Sequence, residues 1–246
     1  MGTQKMKNKK DFLKKIQFNI DNYGYHMYLV KGSSSPTIAY TIGLKEKLDF
    51  ELIIAGASYY SNDEVVEIIN LISKMCSHLK YKIKSKVYVN GFGEFVLKEI
   101  NKSWCDLLML GAVDYYGNNE FTSYQIIPSK EFVTIDVPDM STPFDSSLEP
   151  IWSYEKENWN YSISPNSFAV TNLNALRGKD ITEVVRWEDE QWEMFSGAGP
   201  AVTETDIRLV PLSTLLKFDS SLEIVTELEI GTGLWRESLK DKWHKW

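Results

Sequence analysis

An acidic stretch between two tryptophans is the first feature of this sequence that could do chemistry. It reads RWEDEQWEMFSG, and Glu188, Asp189 and Glu190 stand there between Trp187 and Trp192. Consecutive side chains splay apart, and the glycine and bidentate glutamate of a calcium loop are missing, so the stretch does not predict a metal site. Carboxylates beside indoles are typical of surfaces that bind basic proteins. A solvated hairpin end is the simpler alternative.

The same stretch predicts a β-hairpin with strands over residues 184–187 and 192–195. Facing positions on two strands would make Trp187 and Trp192 a cross-strand aromatic pair, worth up to about 1 kcal/mol. Residues 180–206 contain eight acids and a single basic residue, Arg186. The predicted partner-binding residues are Trp187, Glu188, Asp189, Glu190, Trp192 and Glu193.

A second set of polar residues lies on three neighbouring predicted strands near the start of the chain. His26, Tyr40, Thr41 and Glu51 could converge at a pocket, where the histidine or the glutamate would move a proton. This alternative, an enzyme or a small-ligand-binding protein, requires His26 and Glu51 within hydrogen-bond reach of each other. Strand Thr and Tyr also favour β geometry for structural reasons alone, and a lone buried histidine is usually a satisfied one.

Other common site signatures are weak. Three Gly-x-Gly pairs lack the third glycine of a dinucleotide loop, and we interpret them as turns. His26, His78 and His244 show no metal-ligand spacing, and Cys76 and Cys105 are too few for a disulfide framework. We expect buried thiols, no metal and no cofactor.

Composition excludes further classes of protein. The 246 residues carry a net charge of −7, and the first fifteen hold six lysines and one aspartate, which leaves −12 on the rest. Such a body repels a phosphate backbone, so we expect no nucleic-acid partner. The longest apolar run, residues 107–113, is far shorter than the roughly 20 residues that span a bilayer. We therefore expect a soluble, cytoplasmic chain with no membrane contact; its oligomeric state stays open.

The pattern of apolar residues predicts the elements of the first half. A basic amphipathic helix ends near Gly24, and strands follow over residues 25–30, 37–42 and 50–55. Ser61 or Asn62 can cap the next helix. A hairpin over residues 87–97, a helix over 103–116 and a strand over 121–127 complete this part.

The chain divides into three predicted segments: an α+β domain over residues 1–148, an ordered aromatic connector over 149–165 and a smaller α+β module over 166–246. Proline spacing and a high density of aromatic residues mark the connector. Strands over residues 168–171 and 207–210 and a helix over 212–217 are predicted beyond it. The fold class is therefore α+β, with mixed or antiparallel sheets and few helices.

Residues of the first half resemble a known bacterial family. The runs Gly24-Tyr25-His26, Ala39-Tyr40-Thr41-Ile42-Gly43-Leu44 and Glu51-Leu52-Ile53-Ile54-Ala55-Gly56 are similar to domain-of-unknown-function family 4262. Tyr115-Tyr116-Gly117 and Tyr124-Gln125 fit its second half, so the resemblance covers about residues 20–148. The family usually has Pro before the glutamate, where this chain has Phe50. This resemblance implies no activity.

The second half resembles immunity protein family 33 of bacterial polymorphic-toxin systems over roughly residues 166–240. The resemblance rests on Trp192, Phe195-Ser196-Gly197, Asp206-Ile207, Leu212-Ser213-Thr214-Leu215, Phe218-Asp219-Ser220-Ser221-Leu222, Gly231 and Arg236. It implies a non-catalytic protein that neutralises a toxin by direct binding, and a basic toxin domain suits an acidic surface. A scaffold in a bacterial stress or defence system is a further alternative.

Overall fold

The computed structural model describes residues 2–32, 34–79 and 86–245. The side chains of residues 2–8, 78 and 79 lie outside this description. The prediction that His78 is not a metal ligand therefore falls outside the described residues. Two six-stranded sheets and several helices form an α+β fold, which confirms the predicted fold class. None of the described helices combines the length and apolar character needed to cross a bilayer.

The first sheet has the strand order β1-β2-β3-β6-β5-β4 and is antiparallel except for the parallel pair β3 and β6. Its strands are His26–Val30 (β1), Ile38–Ile42 (β2), Phe50–Ala55 (β3), Lys86–Val89 (β4), Gly93–Glu99 (β5) and Thr122–Pro128 (β6). The helices of this half are Gly2–Tyr23 (α1), Lys45–Leu48 (α2), Asn62–Leu79 (α3), Lys102–Leu108 (α4) and Leu110–Tyr116 (α5).

Helices cover both faces of the first sheet. The apolar stripe of α3, which includes Ile68 and Ile72, packs on one face against Leu52 of β3. Helices α1, α4 and α5 pack on the other face, where Ile16 and Trp104 are fully buried. Because β3 is sandwiched between these layers, all six of its residues are buried, as expected for a central strand.

The second sheet has the order β10-β7-β9-β8-β11-β12, with one parallel pair, β7 and β9. Its strands are Phe168–Asn172 (β7), Glu183–Glu188 (β8), Gln191–Phe195 (β9), Ile207–Pro211 (β10), Thr232–Trp235 (β11) and His244–Lys245 (β12). The helices are Leu173–Leu176 (α6) and Leu212–Phe218 (α7), with 3₁₀ helices at Gly199–Ala201, Glu204–Asp206 and Ser220–Glu227. One face packs on α7 and on the last 3₁₀ helix, and there Trp192, Leu215 and Leu222 are fully buried.

The chain between the two sheets packs against both cores. A 3₁₀ helix at Pro150–Glu155 places Ile151 and Trp152 in the core of the first half, with the Trp152 ring edge-to-face against Trp104. Ile163 belongs to the core of the second half. Residues that the sequence assigned to the connector therefore fill space inside both halves.

Most predicted elements are present within one or two residues, and the helix predicted over 103–116 is the main exception. It is two helices, α4 and α5, because Met109 between them leaves the helical region, with φ −104° and ψ 39°. The Cys76 and Cys105 thiols are buried, as predicted, and they lie in different clusters. Burial raises the pKa of the Cys105 thiol to about 11.

A buried aspartate fixes the loop that follows β3. The carboxylate of Asp136 is fully buried and accepts hydrogen bonds from the Ser58 hydroxyl at 2.6 Å and the Thr134 hydroxyl at 2.5 Å. Gly56 has φ +70°, and a Cβ built on it would lie 2.2 Å from the Asp136 carbonyl oxygen. Only glycine permits this approach of the two backbone segments.

We expect Gly56→Ala to destabilise the fold strongly, because the methyl group adds a backbone clash to an unfavourable positive φ. Gly91→Ala is the matched control, since Gly91 has φ +86° and nothing lies within 4 Å of its Cβ position. Urea unfolding should show a loss at least about 2 kcal/mol larger for Gly56→Ala than for Gly91→Ala. Equal losses would mean that the close approach to Asp136 does not restrict this position.

Candidate functional site

The predicted acidic hairpin is present, and a β-bulge determines which way its side chains point. Arg186 pairs with Trp192, and Glu188 pairs with Gln191, so Trp187 is an extra residue without a cross-strand partner. A bulge places two residues of one strand opposite one residue of the next. The predicted cross-strand pair of Trp187 and Trp192 is therefore wrong, and the two indoles lie on opposite faces of the sheet.

Trp192 is a core residue. Its side chain is 0% exposed, and its indole N–H donates to the Val225 carbonyl at 3.3 Å. It cannot contact a partner while the module is folded, which corrects its predicted role as an anchor. Trp187 is 48% exposed, so its ring is accessible to a partner.

The side chain of Arg186 folds inward over the Trp192 ring, with its guanidinium carbon 4.7 Å from the ring centroid. The guanidinium donates to the carbonyl oxygens of Leu228 at 2.7 Å and Asp189 at 3.0 Å. The only cation of residues 180–206 is thus bound to main-chain oxygens and to an indole rather than to a carboxylate.

The opposite face of this sheet, which we call the outer face, contains Trp187 and Glu193. Burial raises the pKa of the half-buried Glu193 carboxyl, a hydrogen bond with Trp187 opposes this rise, and the charge of Glu183 adds to it. No Lys or Arg forms an ion pair with either glutamate in the part of the chain that the structure describes. An aromatic side chain therefore lies beside a carboxylate that has no cation.

Apolar side chains surround Glu193 on the outer face. Glu193 pairs with Val170 on one side and Val185 on the other, and Val170 pairs with Leu209, which is 64% exposed. Trp235, on β11, pairs with Glu183 and is 40% exposed.

Glu183, Leu209 and Trp235 also belong to this face, and they were not predicted from the sequence as binding residues. The alternation of side chains along each strand carries the signal, since every second residue points to the same face. That alternation becomes useful only when the order of the strands is known.

The three hairpin acids Glu188, Asp189 and Glu190 are all exposed. None of them forms an ion pair with another described residue. They add three negative charges at the hairpin end, directly after Trp187. The arrangement provides an exposed indole, an apolar surround and unpaired carboxylates, a combination that suits a basic protein surface.

The predicted pocket around His26 and Glu51 is not formed. His26 Nδ1 lies 2.7 Å from the Asn19 amide nitrogen, and its buried Nε2 has no partner among the described residues. Glu51 is 0% exposed and bonds to other groups, so no substrate reaches its carboxylate. Tyr40 is also buried, and its hydroxyl accepts from the Gly111 amide at 3.0 Å.

Glu51 instead joins several segments of the first half. Its carboxylate accepts hydrogen bonds from the Thr41 hydroxyl at 2.6 Å, the Tyr116 hydroxyl at 2.5 Å and the main-chain amides of Gly43 at 2.8 Å and Lys45 at 3.1 Å. Burial raises the pKa of Glu51, and the donated hydrogen bonds oppose part of that rise. Thr41 and Glu51 do meet as predicted, but as a structural cluster that also needs Tyr116.

Comparison with known proteins supports the resemblance of the first half. Residues 19–131 match the sequence model of a family described as Domain of unknown function (DUF4262). The match contains β1 to β6, α2 to α5 and the Glu51 cluster. No curated protein and no solved structure matches this chain. The resemblance of residues 166–240 to immunity protein family 33 stays a prediction.

The two tryptophans should respond differently to truncation. Trp192→Ala leaves a large cavity in the core, so we expect the free energy of unfolding to fall by about 3–5 kcal/mol. Trp187→Ala removes a half-exposed ring and should cost less than about 1 kcal/mol. Urea unfolding of both variants measures these losses, and comparable losses would contradict the assignment of the two indoles to opposite faces.

The buried carboxyl of Glu51 should make stability depend on pH. Its folded-state pKa lies above its ordinary value of 4.5, so its contribution is fully present below that value and is lost as pH rises through the raised pKa. Glu51→Gln does not titrate. We therefore expect the variant to gain stability relative to the natural protein as pH rises from about 4 to about 8.

Chemical unfolding across this pH range measures the difference. Glu67→Gln, at an exposed position of α3, controls for the loss of one negative charge. The same pH profile in both variants would contradict the role assigned to burial of Glu51.

Proposed function

We propose that this chain is a non-catalytic protein-binding protein of the bacterial cytoplasm that neutralises a toxin by direct contact. The outer face of the second sheet is the contact surface. Unpaired carboxylates beside the exposed Trp187 are the observation that carries this proposal. The resemblance to immunity protein family 33 supplies the class of partner.

The geometry around Glu193 supports recognition of a basic side chain. A lysine or arginine of the partner could form an ion pair with Glu193 and lie against the Trp187 ring, because cations favour the face of an indole. The apolar side chains around Glu193 would exclude water from that contact and strengthen it. Glu188, Asp189 and Glu190 lie at the edge, where exposed charges mainly speed encounter with a basic surface.

We therefore expect a growth-rescue assay to depend on the outer face. We expect a toxin gene beside this one, and cells that express that toxin should survive when the natural protein is co-expressed. Trp187→Ala should abolish or sharply reduce rescue, because it removes the aromatic contact. Combined reversal to lysine at Glu188, Asp189 and Glu190 should do the same through charge repulsion.

The control is a matched reversal on exposed acids elsewhere. Glu46, Glu67 and Glu155 are exposed and form no ion pair with another described residue, so their combined reversal to lysine changes net charge equally. Rescue should persist in this control, and circular dichroism should show all variants folded. Full rescue by both outer-face variants would overturn the proposal.

A further inference from the structure

A polar cleft lies in the first half, between the end of α1, the start of β1, α2 and α3. Its volume is 580 Å³, within the range of roughly 300–1,000 Å³ typical of small-molecule sites. The polar residues that line it include Lys47, Asn70, Ser73, Lys74 and Ser77. Neither His26 nor Glu51 lines it.

The charge of this cleft is opposite to that of the molecule. Lys47 and Lys74 line it and no Asp or Glu does, although the whole chain carries −7. Neither lysine forms an ion pair or a side-chain hydrogen bond with another described residue. Two free ammonium groups facing one cleft favour an anion.

Helix α3 presents a row of polar side chains to the cleft. Asn70, Ser73, Lys74 and Ser77 are spaced at positions i, i+3, i+4 and i+7, so they share one face of the helix. The apolar stripe of α3 occupies the face that packs on the sheet. The helix therefore presents an apolar face to the core and a separate row of polar side chains to the cleft.

Ser73 lines the cleft, but its hydroxyl is buried. It is 1% exposed, and a hydrogen bond between Ser73 and Tyr25 lowers the Tyr25 pKa against the rise that burial causes. The donors available to a ligand are therefore the exposed and half-buried side chains of the cleft. The Tyr25 hydroxyl donates to the Asn70 amide oxygen, which leaves the Asn70 nitrogen as a donor that can serve a ligand beside the two lysines.

The approach of Lys47 depends on Gly24. A Cβ built on Gly24 would lie 2.6 Å from the Lys47 ammonium nitrogen, and Gly24 has φ +89°. Any larger residue would displace the lysine from the wall of the cleft. The turn that ends α1 thus leaves room for this ammonium group at the wall of the cleft.

We propose that this cleft binds the phosphate group of a small organic phosphate. The two lysines and the Asn70 amide offer three donor groups, which match the three terminal oxygens of a phosphate better than the two of a carboxylate. The cleft has room for an organic group beyond the phosphate. Met27 and Leu44 supply apolar contact for it, and Tyr23, 72% exposed, supplies an aromatic ring.

Calorimetric titration of the full chain with phenyl phosphate tests the proposal. Phenyl phosphate should bind, inorganic phosphate should bind more weakly, and benzoate should bind at least about tenfold more weakly than phenyl phosphate. Absence of phenyl phosphate binding at millimolar concentration would overturn the proposal. Equal affinity for benzoate would overturn the assignment to phosphate.

Variants locate the site. Lys47→Gln and Lys74→Gln should each weaken phenyl phosphate binding about tenfold, because each removes a charge-assisted contact. The control replaces Lys31 and Lys130 by Gln together, at exposed positions outside the cleft. It has the same net charge as the Lys47→Gln, Lys74→Gln double variant and should bind phenyl phosphate normally. Unchanged affinity when both cleft lysines are replaced would refute the site.

None of these measurements depends on the outer face of the second sheet, so they fail or succeed independently of toxin binding.

Discussion

The inward fold of Arg186 sets the electrostatic character of the second sheet. Its guanidinium donates to carbonyl oxygens of the hairpin and to that of Leu228, directly after the last 3₁₀ helix, and it covers the buried ring of Trp192. An arginine on the outer face would have neutralised Glu193, which lies only one position away from the Trp192 pairing site. The bulge at Trp187 and the direction of this one side chain together leave the carboxylates without a cation.

Local pattern was sufficient to predict most elements, and insufficient wherever two distant segments meet. The hairpin, the α3 helix with its Ser61 and Glu64 capping box, and the alternation along the strands all follow from residues within one or two turns of each other. The bulge shifts the register by one residue, and nothing in the sequence marks it. Because of this shift, Arg186 instead of Trp187 lies opposite Trp192.

The pocket predicted around His26 and Glu51 shows the same limit of local sequence patterns. Thr41 and Glu51 were correctly placed side by side, because neighbouring strands bring them together. The donors from Gly43, Lys45 and Tyr116 come from a turn, a short helix and α5, and His26 is turned instead towards Asn19. Which of several polar groups a buried carboxyl selects depends on packing in three dimensions, and a list of polar residues contains no such information.

The 3₁₀ helix that carries Trp152 has a consequence for how the molecule can be divided. The indole N–H of Trp152 donates to the Asp136 carbonyl, and the Trp152 ring packs edge-to-face against Trp104 in the core. The family match stops at residue 131, well before this ring. The stretch shared with other proteins is therefore shorter than the segment that completes its own interior, and a fragment cut at residue 148 would leave a tryptophan-sized hole open to water. Gene fusions that transplant the first half would have to carry the linking peptide with it.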